Sequence, residues 1–197
     1  LLIRAGIEIG DNPLCRDRIK EWHAQLPLDF CLLSLHLIDN EDPFFPSFFE
    51  DKTQDAFYRR YVQSKLESLL AWLPEESDAM AHLGYCAKFA PYPVEARPLR
   101  WHHAPDHFDL IFSTLAKDGK ALEINTSGHR SMGEYIPERE LLTRFCEKGG
   151  EFVTLGSDAH YPYHVGNWLD DARELAKSCG LRYAVTYQQR KPIPVLL

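Results

Sequence analysis

The stretch Glu151-Phe-Val-Thr-Leu-Gly-Ser-Asp-Ala-His160 decides the fold, because an apolar run ends there in Asp158 and His160. We interpret the run as a strand, in which alternate residues share a face, so an Asp-x-His pair aims both side chains the same way. A carboxylate oxygen and an imidazole nitrogen that converge at a strand end form half of a site for a divalent transition metal. The alternative is a turn in which Asp158 caps the next helix and His160 is merely exposed. The pair alone leaves both interpretations open.

Predicted strands and helices alternate along the chain, which is typical of parallel β-α-β units. Two long segments, 37–51 and 84–105, are rich in Phe and Pro and are predicted to be loops that shape a pocket. There is no repeat, low-complexity tract or linker, so residues 1–197 are expected to form one α/β domain. The predicted strands are 2–9, 30–36, 78–82, 121–125, 152–156 and 183–187, and the predicted helices are 11–25, 53–73, 106–117, 137–148 and 168–179.

Composition limits the classes of function. At 197 residues the chain is long enough for one well-buried core and short for two. The formal net charge of −7, without a basic patch, argues against a nucleic-acid partner. No apolar run reaches the length needed to span a bilayer, so no membrane partner is expected. The five scattered cysteines include no Cys-x-x-Cys pair and predict free thiols in the cytoplasm, not a disulfide framework.

The first residues, Leu1 to Ile9, have the pattern of a strand that is already under way. No charged segment precedes an apolar stretch, so this is not a signal peptide. We therefore expect a further segment upstream in the parent protein. An uncovered strand at the edge of a sheet favours association, so a homo-oligomer is expected if nothing covers this one.

Polar residues recur where the predicted strands end. The carboxyl ends of parallel strands meet at one edge of the sheet, where binding sites are built. Each residue has a structural alternative: a single strand-end histidine is more often a core residue, and Glu8 could pair with Arg4 or Lys20. Their recurrence at the same relative position favours a shared site. The strand-end residues are Glu8, His36, His82, Asn125, and the pair Asp158 and His160.

Imidazoles and carboxylates are ligands that suit Zn²⁺, Mn²⁺ or Fe. Five candidates, two of them carboxylates able to bridge, favour a cluster of two or more metals, which can clamp the oxygens of a phosphate ester. Arg130 and Lys88 are candidates for holding a phosphate, with ordinary surface charge as the alternative. Of the other histidines, His102 and His103 are predicted at the surface, His129 in a loop, and His164 beside His160 at the mouth of the site.

Taken in order, these residues resemble a known family. Gly6-Ile-Glu8, Ser34-Leu-His36, Ala81-His82-Leu83, Leu122-Glu-Ile-Asn-Thr-Ser-Gly128 and Gly156-Ser-Asp-Ala-His160 resemble the PHP (polymerase and histidinol phosphatase) metal-dependent phosphoesterases, especially the histidinol-phosphatase branch. The resemblance extends from Gly6 to about Gly166. It implies a distorted (β/α)7 barrel with a trinuclear metal site at the carboxyl ends of its strands.

The resemblance also implies residue roles. Glu8 would bridge metals, His36 and His82 would each bind one, and Asp158 and His160 would complete the ligand set. Glu8, Asp158 and His160 would thus be the catalytic residues, and Arg130, Lys88 and His129 would lie near the substrate phosphate. The cofactors would be divalent metals, Zn, Mn or Fe, up to three in an intact member.

The chain departs from the family pattern in two places. Members begin with a strand that carries His-x-His, followed by further ligands, and none of these precedes Gly6 here. The chain therefore starts at the equivalent of the third strand, which predicts an N-terminally incomplete barrel of about strands 3 to 7. In addition, Ala81-His82 stands where the family often has Gly-His.

The function implied by the resemblance is hydrolysis of a small phosphomonoester, L-histidinol phosphate, to L-histidinol and phosphate in histidine biosynthesis. A metal-bridging hydroxide would attack phosphorus in line with the leaving alcohol. One alternative is a phosphoesterase of the same architecture that acts on another small phosphate ester. Another is an inactive barrel remnant that binds metal or a partner, because the first ligands are absent.

Overall fold

A computed structural model describes residues 2–72 and 74–197. In this part of the chain seven strands form one sheet in sequence order, and neighbouring strands are parallel from β1 to β6. The prediction of an α/β chain with a parallel sheet is therefore confirmed. The strands are β1 Gly6–Gly10, β2 Phe30–Ser34, β3 Ala79–Met80, β4 Ala121–Asn125, β5 Phe152–Gly156, β6 Tyr183–Gln188 and β7 Lys191–Leu196.

Helices connect most of the strands. The longest, α2, begins after Thr53, whose hydroxyl accepts the backbone N–H of Ala56, and α5 begins after Glu138, whose carboxylate accepts two backbone N–H groups. The predicted helix 53–73 is confirmed as far as Ala71, and its predicted last residue, Leu73, lies outside the described residues. The helices are α1 Arg16–His23, α2 Gln54–Ala71, α3 Pro105–Lys117, α4 Ser127–Met132, α5 Arg139–Glu147 and α6 Leu169–Ser178.

The two faces of the sheet have different cores. Met80 packs into a large cluster with aromatic residues of α2, α3 and α5, whereas its neighbours Ala79 and Ala81 belong to a small cluster on the other face. Small side chains on this face leave space for β6, whose Val185 and Tyr187 pack there. Because β2, β3 and β4 are parallel and in register, Leu32, Ala79 and Ala121 point to the same side.

The sheet is strongly curved. Tyr187 of β6 stacks on Phe30 of β2 with ring centroids 5.0 Å apart, and its hydroxyl donates to the carbonyl of Asp78 at 3.1 Å. These strands are four places apart in the sheet, a separation of about 19 Å if the sheet were flat. The curvature thus brings β6 back across the small cluster, towards the amino ends of β2 and β3.

A hairpin turn holds β6 in that position. Gln189 and Arg190 both have positive φ, 50° and 65°, as a two-residue turn between antiparallel strands requires. The Arg190 side chain donates to the carboxylate of Asp78 at 2.6 Å, and its backbone N–H donates to the carbonyl of Asp29 at 3.0 Å. Asp78 in turn accepts the backbone N–H of Cys31 at 2.7 Å. The turn therefore ties the end of the chain to the start of β2 and β3.

Several predicted boundaries are wrong. The first strand begins at Gly6 instead of Leu2, with Leu2 and Ile3 exposed beside the edge strand β1, and the third strand is only Ala79–Met80. Ser127 and Gly128 lie outside the predicted helices, but they begin α4. Strand β7 was not predicted, because Pro192 and Pro194 interrupt its pattern. Among the described strands it pairs only with β6, and proline is tolerated in such an edge strand.

The state of the cysteines agrees with the prediction from composition. All five cysteines are free thiols. Among the described helices, not one combines the length and the apolar character needed to cross a bilayer.

Candidate metal centre

Three of the predicted ligands converge at the carboxyl ends of β1, β2 and β3. The Oε1 atom of Glu8 lies 3.1 Å from Nε2 of His36 and 2.9 Å from Nε2 of His82. The two imidazole rings are stacked, with centroids 5.2 Å apart. One ligand atom from each residue falls within 4.8 Å of the other two, a spacing that one ion can bridge.

The electrostatics of this group suit a divalent cation. Hydrogen bonds from His36 and His82 hold the pKa of Glu8 well below its usual value, so its carboxylate is ionised. Burial lowers the pKa of His82 to about 4, which keeps its imidazole neutral at pH 7. Among the described residues, no group offers a hydrogen bond to the buried Nδ1 atom of His82. An ionised carboxylate beside imidazole nitrogens is the donor set of zinc sites, so the residues fit the metal.

Buried side chains hold the backbone around His82. His82 has a φ of 25°, a conformation rare for a residue with a side chain. Glu123 accepts its N–H at 2.8 Å, and the hydroxyl of Tyr61 donates to its carbonyl at 3.3 Å. Lys65, which is 1% exposed, donates to the carbonyl of the preceding Ala81 at 3.0 Å. These bonds stabilise a strained bend that aims the His82 ring at Glu8.

Glu123 lies under the candidate metal group in an enclosed space. Burial raises its pKa to about 7. Its Oε2 atom also accepts the side-chain N–H of Asn125 at 3.3 Å. Opposite, Gly156 leaves room for the carboxylate, since a Cβ atom there would lie 2.3 Å from Oε1 of Glu123. Glycine is needed at this position for close packing, not for backbone freedom.

Lys88 and Asp158 form the next part of the site. Lys88 Nζ donates to the hydroxyl of Ser127 at 2.9 Å and lies 3.4 Å from Oδ2 of Asp158. Burial alone would raise the pKa of Asp158, but the charge of Lys88 and the hydrogen bond with Ser127 outweigh it, so this pKa is lowered. Asp158 is therefore an ionised carboxylate within electrostatic reach of His82.

A continuous hydrogen-bond path joins the two parts. The backbone N–H of Ser127 donates to Oδ1 of Asn125 at 2.9 Å, and the amide of Asn125 donates to Glu123. Asn125, a strand-end residue in the sequence, thus links Lys88 to the carboxylate that holds His82. Helix α4 begins here because Gly128 allows its backbone to approach Ile136, which a Cβ atom would meet at 2.5 Å.

His160 lies apart from the group of Glu8, His36 and His82. Its side chain is 77% exposed, and its Nδ1 atom lies 3.0 Å from the carbonyl of Asp158. Within the described residues, the clusters close enough to share one ion include neither Asp158 nor His160. Asp158 itself has a φ of 48°, so the Asp-x-His segment bends away from strand geometry after Gly156. The roles of both residues as metal ligands stay predictions.

The other predicted substrate residues have different surroundings. Arg130 donates to the carbonyls of Ser157 and Asp158 at 3.1 and 3.2 Å, so it holds the loop that carries Asp158. His129 is packed against Tyr135 and Trp168, with ring centroids 5.3 and 4.9 Å away. His164 packs on Tyr163 in the loop after His160. Phosphate contact by Arg130 or His129 stays a prediction.

An aromatic wall borders the metal group. We use this name for Tyr85, Phe89 and Phe44. The ring of Tyr85 lies 4.9 Å from that of His36 and 5.1 Å from that of His82, between centroids. Phe89 packs on Tyr85, and the exposed Phe44 packs on Phe89, each at 5.2 Å. The wall comes from the two long loops that the sequence assigns to the pocket.

Sequence reasoning missed three residues of the site, Tyr61, Lys65 and Glu123. Each is at least 94% buried. A signal was present for two of them: Lys65 interrupts the apolar face of α2, and Glu123 interrupts the apolar run of β4. A charged residue in such a position is buried only with partners, which here are backbone groups around His82.

The comparison with sequence families and curated proteins gives relatives but no family model. No family model matches the chain. The histidinol-phosphatase of Lactococcus lactis subsp. lactis (strain IL1403) is 28% identical over 193 residues, covering 96% of this chain and 69% of that protein. A protein of Deinococcus radiodurans named as a probable histidinol-phosphatase is 31% identical over 202 aligned positions, covering 98% of this chain and 70% of that protein.

A solved structure gives the same result. The crystal structure of histidinol phosphate phosphatase from Lactococcus lactis subsp. lactis Il1403, complexed with zinc, L-histidinol and phosphate, superposes with a TM-score of 0.82 at 26% sequence identity. The match covers 96% of this chain and 71% of that one. On these likenesses of sequence and structure, the chain belongs to the histidinol-phosphatase family.

Proposed function

We propose that this phosphomonoesterase hydrolyses L-histidinol phosphate to L-histidinol and phosphate. The observation that carries the proposal is the convergence of Glu8, His36 and His82 beside the cation of Lys88. Metal ligands next to a positive charge suit a phosphate dianion. The relatives named for this activity and the neighbour that binds zinc, L-histidinol and phosphate support the choice of substrate.

Glu8, His36 and His82 would hold divalent metal, with Asp158 and His160 as further ligands. Bound divalent ions supply Lewis acidity, which acidifies water and neutralises charge on phosphate oxygens. Glu8 contributes an ionised carboxylate at neutral pH, and His82 contributes a neutral imidazole. Glu123, Tyr61 and Lys65 form hydrogen bonds with the backbone of His82 and Ala81, and these bonds keep that imidazole in place.

Lys88 would bind the substrate phosphate, and Arg130 would assist. Lys88 Nζ is already oriented by Ser127 and Asp158, so little side-chain entropy is lost when a phosphate oxygen arrives. Arg130 uses one N–H on each of two backbone carbonyls, and a guanidinium has five. Its remaining donors are available to a phosphate oxygen at the same loop, and His129 would lie near the same phosphate.

The aromatic wall would take the organic part of the substrate. Phe89 and the exposed Phe44 offer ring faces next to the metal group, where an imidazole can stack. Burial raises the pKa of Tyr85, and the charge of Asp42 lies close enough to raise this pKa further. A negative charge beside ring faces suits the cationic amine of histidinol.

We infer that the curved sheet is part of the distorted (β/α)7 barrel and that residues 1–197 form one domain. The contact of β6 with β2 and β3 supports a sheet that curls towards closure. The five free thiols support a cytoplasmic location.

Phosphate release tests the proposal. The purified chain is loaded with zinc and assayed with L-histidinol phosphate, a sugar phosphate and p-nitrophenyl phosphate. Preference for L-histidinol phosphate is expected, and preference for the sugar phosphate would favour another phosphoesterase of this architecture. Metal binding without release from any of the three would favour the inactive remnant.

A further inference from the structure

A second group of metal-ligating side chains lies outside the candidate metal centre. It consists of Asp55 at the first turn of α2 and His102 and His103 in the turn directly before α3. One ligand atom from each lies within 4.8 Å of the other two. We propose that these three residues form a separate binding site for a transition-metal ion, with Zn²⁺ as the best match. The Trp101-His-His103 motif has no part in the proposed phosphatase site.

The orientation of the His103 ring is fixed by packing and by hydrogen bonds of Nδ1, as is typical of a metal ligand. His103 is 5% exposed, and its ring packs edge-on against Tyr58 at 4.7 Å between centroids. Its Nδ1 atom lies 3.0 Å from the carbonyl of Arg100 and 3.0 Å from the N–H of the same residue. Nδ1 can accept that N–H or, when it carries the proton, donate to the carbonyl; binding of an ion at Nε2 selects the second arrangement, which frees the lone pair of Nε2. This is the usual support for a metal-binding imidazole.

The free nitrogen faces a carboxylate. Nε2 of His103 lies 3.9 Å from Oδ1 of Asp55, too far for a hydrogen bond and a suitable spacing for two ligands of one ion. The ring of His102 lies beside that of His103, with centroids 4.1 Å apart. The guanidinium of Arg100 is directed to Glu138, at 2.8 Å, so its charge is partly neutralised by the carboxylate that precedes α5.

The chemistry of the group selects the class of ion. Two imidazoles and one carboxylate favour zinc and its neighbours over Mg²⁺ and Ca²⁺, which prefer oxygen ligands. Asp55 and His102 are exposed, so solvent can complete the coordination. The ion would connect the starts of α2 and α3, two helices that pack together in the main core. Its expected effect is therefore on stability.

Zinc stoichiometry and thermal stability test the site. The purified chain is compared with the double variant Asp55→Asn/His102→Gln and with the control Asp51→Asn/His107→Gln, which makes the same exchanges outside the group. Both changed residues of the test variant are exposed, so folding should be unaffected. We expect the test variant to bind one Zn²⁺ fewer per chain, and we expect zinc to raise its melting temperature less.

The outcomes separate this site from the candidate metal centre. Equal zinc content in the wild type and the test variant, with equal stabilisation by zinc, would overturn the proposal. Phosphate release by the zinc-loaded test variant should stay within about twofold of the wild type. If the test variant loses phosphate release together with one ion, that ion belongs to the candidate metal centre. This result would also reject the proposal of a separate site. Binding of Co²⁺, followed by its visible absorption, gives a readout independent of activity.

Discussion

The carboxylate of Glu123 accepts the backbone N–H of His82 at 2.8 Å, so a residue in the middle of β4 fixes a candidate metal ligand at the end of β3. Glu123 contacts the backbone of His82, whereas Glu8 contacts the ring of His82. The position of the ring therefore depends on buried groups that need not touch the metal themselves. Outer partners of this kind typically change metal affinity 10- to 100-fold, roughly.

Glu123→Ala should weaken zinc binding by at least about tenfold, because the bend at His82 loses its acceptor. Competition with a chromophoric chelator measures the affinity. Glu123→Gln keeps an oxygen within reach of the backbone N–H of His82 and should restore most of the zinc affinity. Equal affinities in the wild type and Glu123→Ala would contradict a positioning role for Glu123.

Gly156→Ala should act through the same carboxylate. The added Cβ would lie 2.3 Å from Oε1 of Glu123 and would displace it, so zinc affinity should fall. In the Glu123→Ala background the same substitution should change zinc affinity little, because nothing is left to displace. A double-mutant cycle on zinc affinity measures this coupling, and additive effects would show that Gly156 acts elsewhere.

Asp158→Asn should abolish phosphate release and leave the free energy of unfolding within about 1 kcal/mol, since Asp158 is partly exposed and Asn keeps an oxygen for its neighbours Lys88, Ser127 and His160. Release of phosphate from L-histidinol phosphate and urea unfolding are the two measurements. Asp170→Asn, on α6, is the matched control and should keep activity. Unchanged activity in Asp158→Asn would reject its assignment to the site.

Lys65 should make stability depend on pH. Burial lowers its pKa to about 8 from the ordinary 10.5. Between these values the unfolded chain binds more protons than the folded one, so the free energy of unfolding should rise from pH 8 to 10.5. The rise is up to about 3 kcal/mol for this shift. In urea unfolding, the free energy of unfolding of Lys65→Met should not rise over this pH range, whereas that of Lys117→Met, at an exposed site, should still rise.

Arg190→Ala should lower the free energy of unfolding by roughly 2–4 kcal/mol, because it leaves the buried carboxylate of Asp78 without its cation. Denaturant unfolding measures the change. Arg190→Lys keeps the charge and should recover part of the loss. A change below about 0.5 kcal/mol would mean that the hairpin does not anchor the sheet.

Six of the seven described strands and the position of Glu8, His36 and His82 could be predicted, because alternating elements place strand ends at one edge. His160 shows the limit of that reasoning. The prediction treats Asp158 and His160 as strand residues that point the same way, but the backbone turns at Asp158 with a positive φ. Side-chain direction after a strand end depends on turn conformation, which periodicity does not encode.

The missed elements have physical reasons as well. Helix α4 has only six residues, and its Ser127-Gly128 start is typical of turns. It is stabilised by contacts with Ile136 that only the folded chain brings together. Glu123 and Lys65 were missed because their partners are backbone atoms far away in sequence. A single sequence shows that a charge interrupts an apolar run, but not which backbone group it meets.

The prolines of β7 make the two edges of the sheet unequal. Pro192 and Pro194 lack N–H groups, so β7 cannot offer a regular ladder of donors to another strand. The opposite edge, β1, has no proline within Gly6–Gly10 and carries Glu8. Sheet growth is therefore one-directional. A strand added beside β1 would bring alternate side chains to about 5 Å from those on the Glu8 face. Such a strand would therefore extend the sheet and also bring further side chains to the metal group.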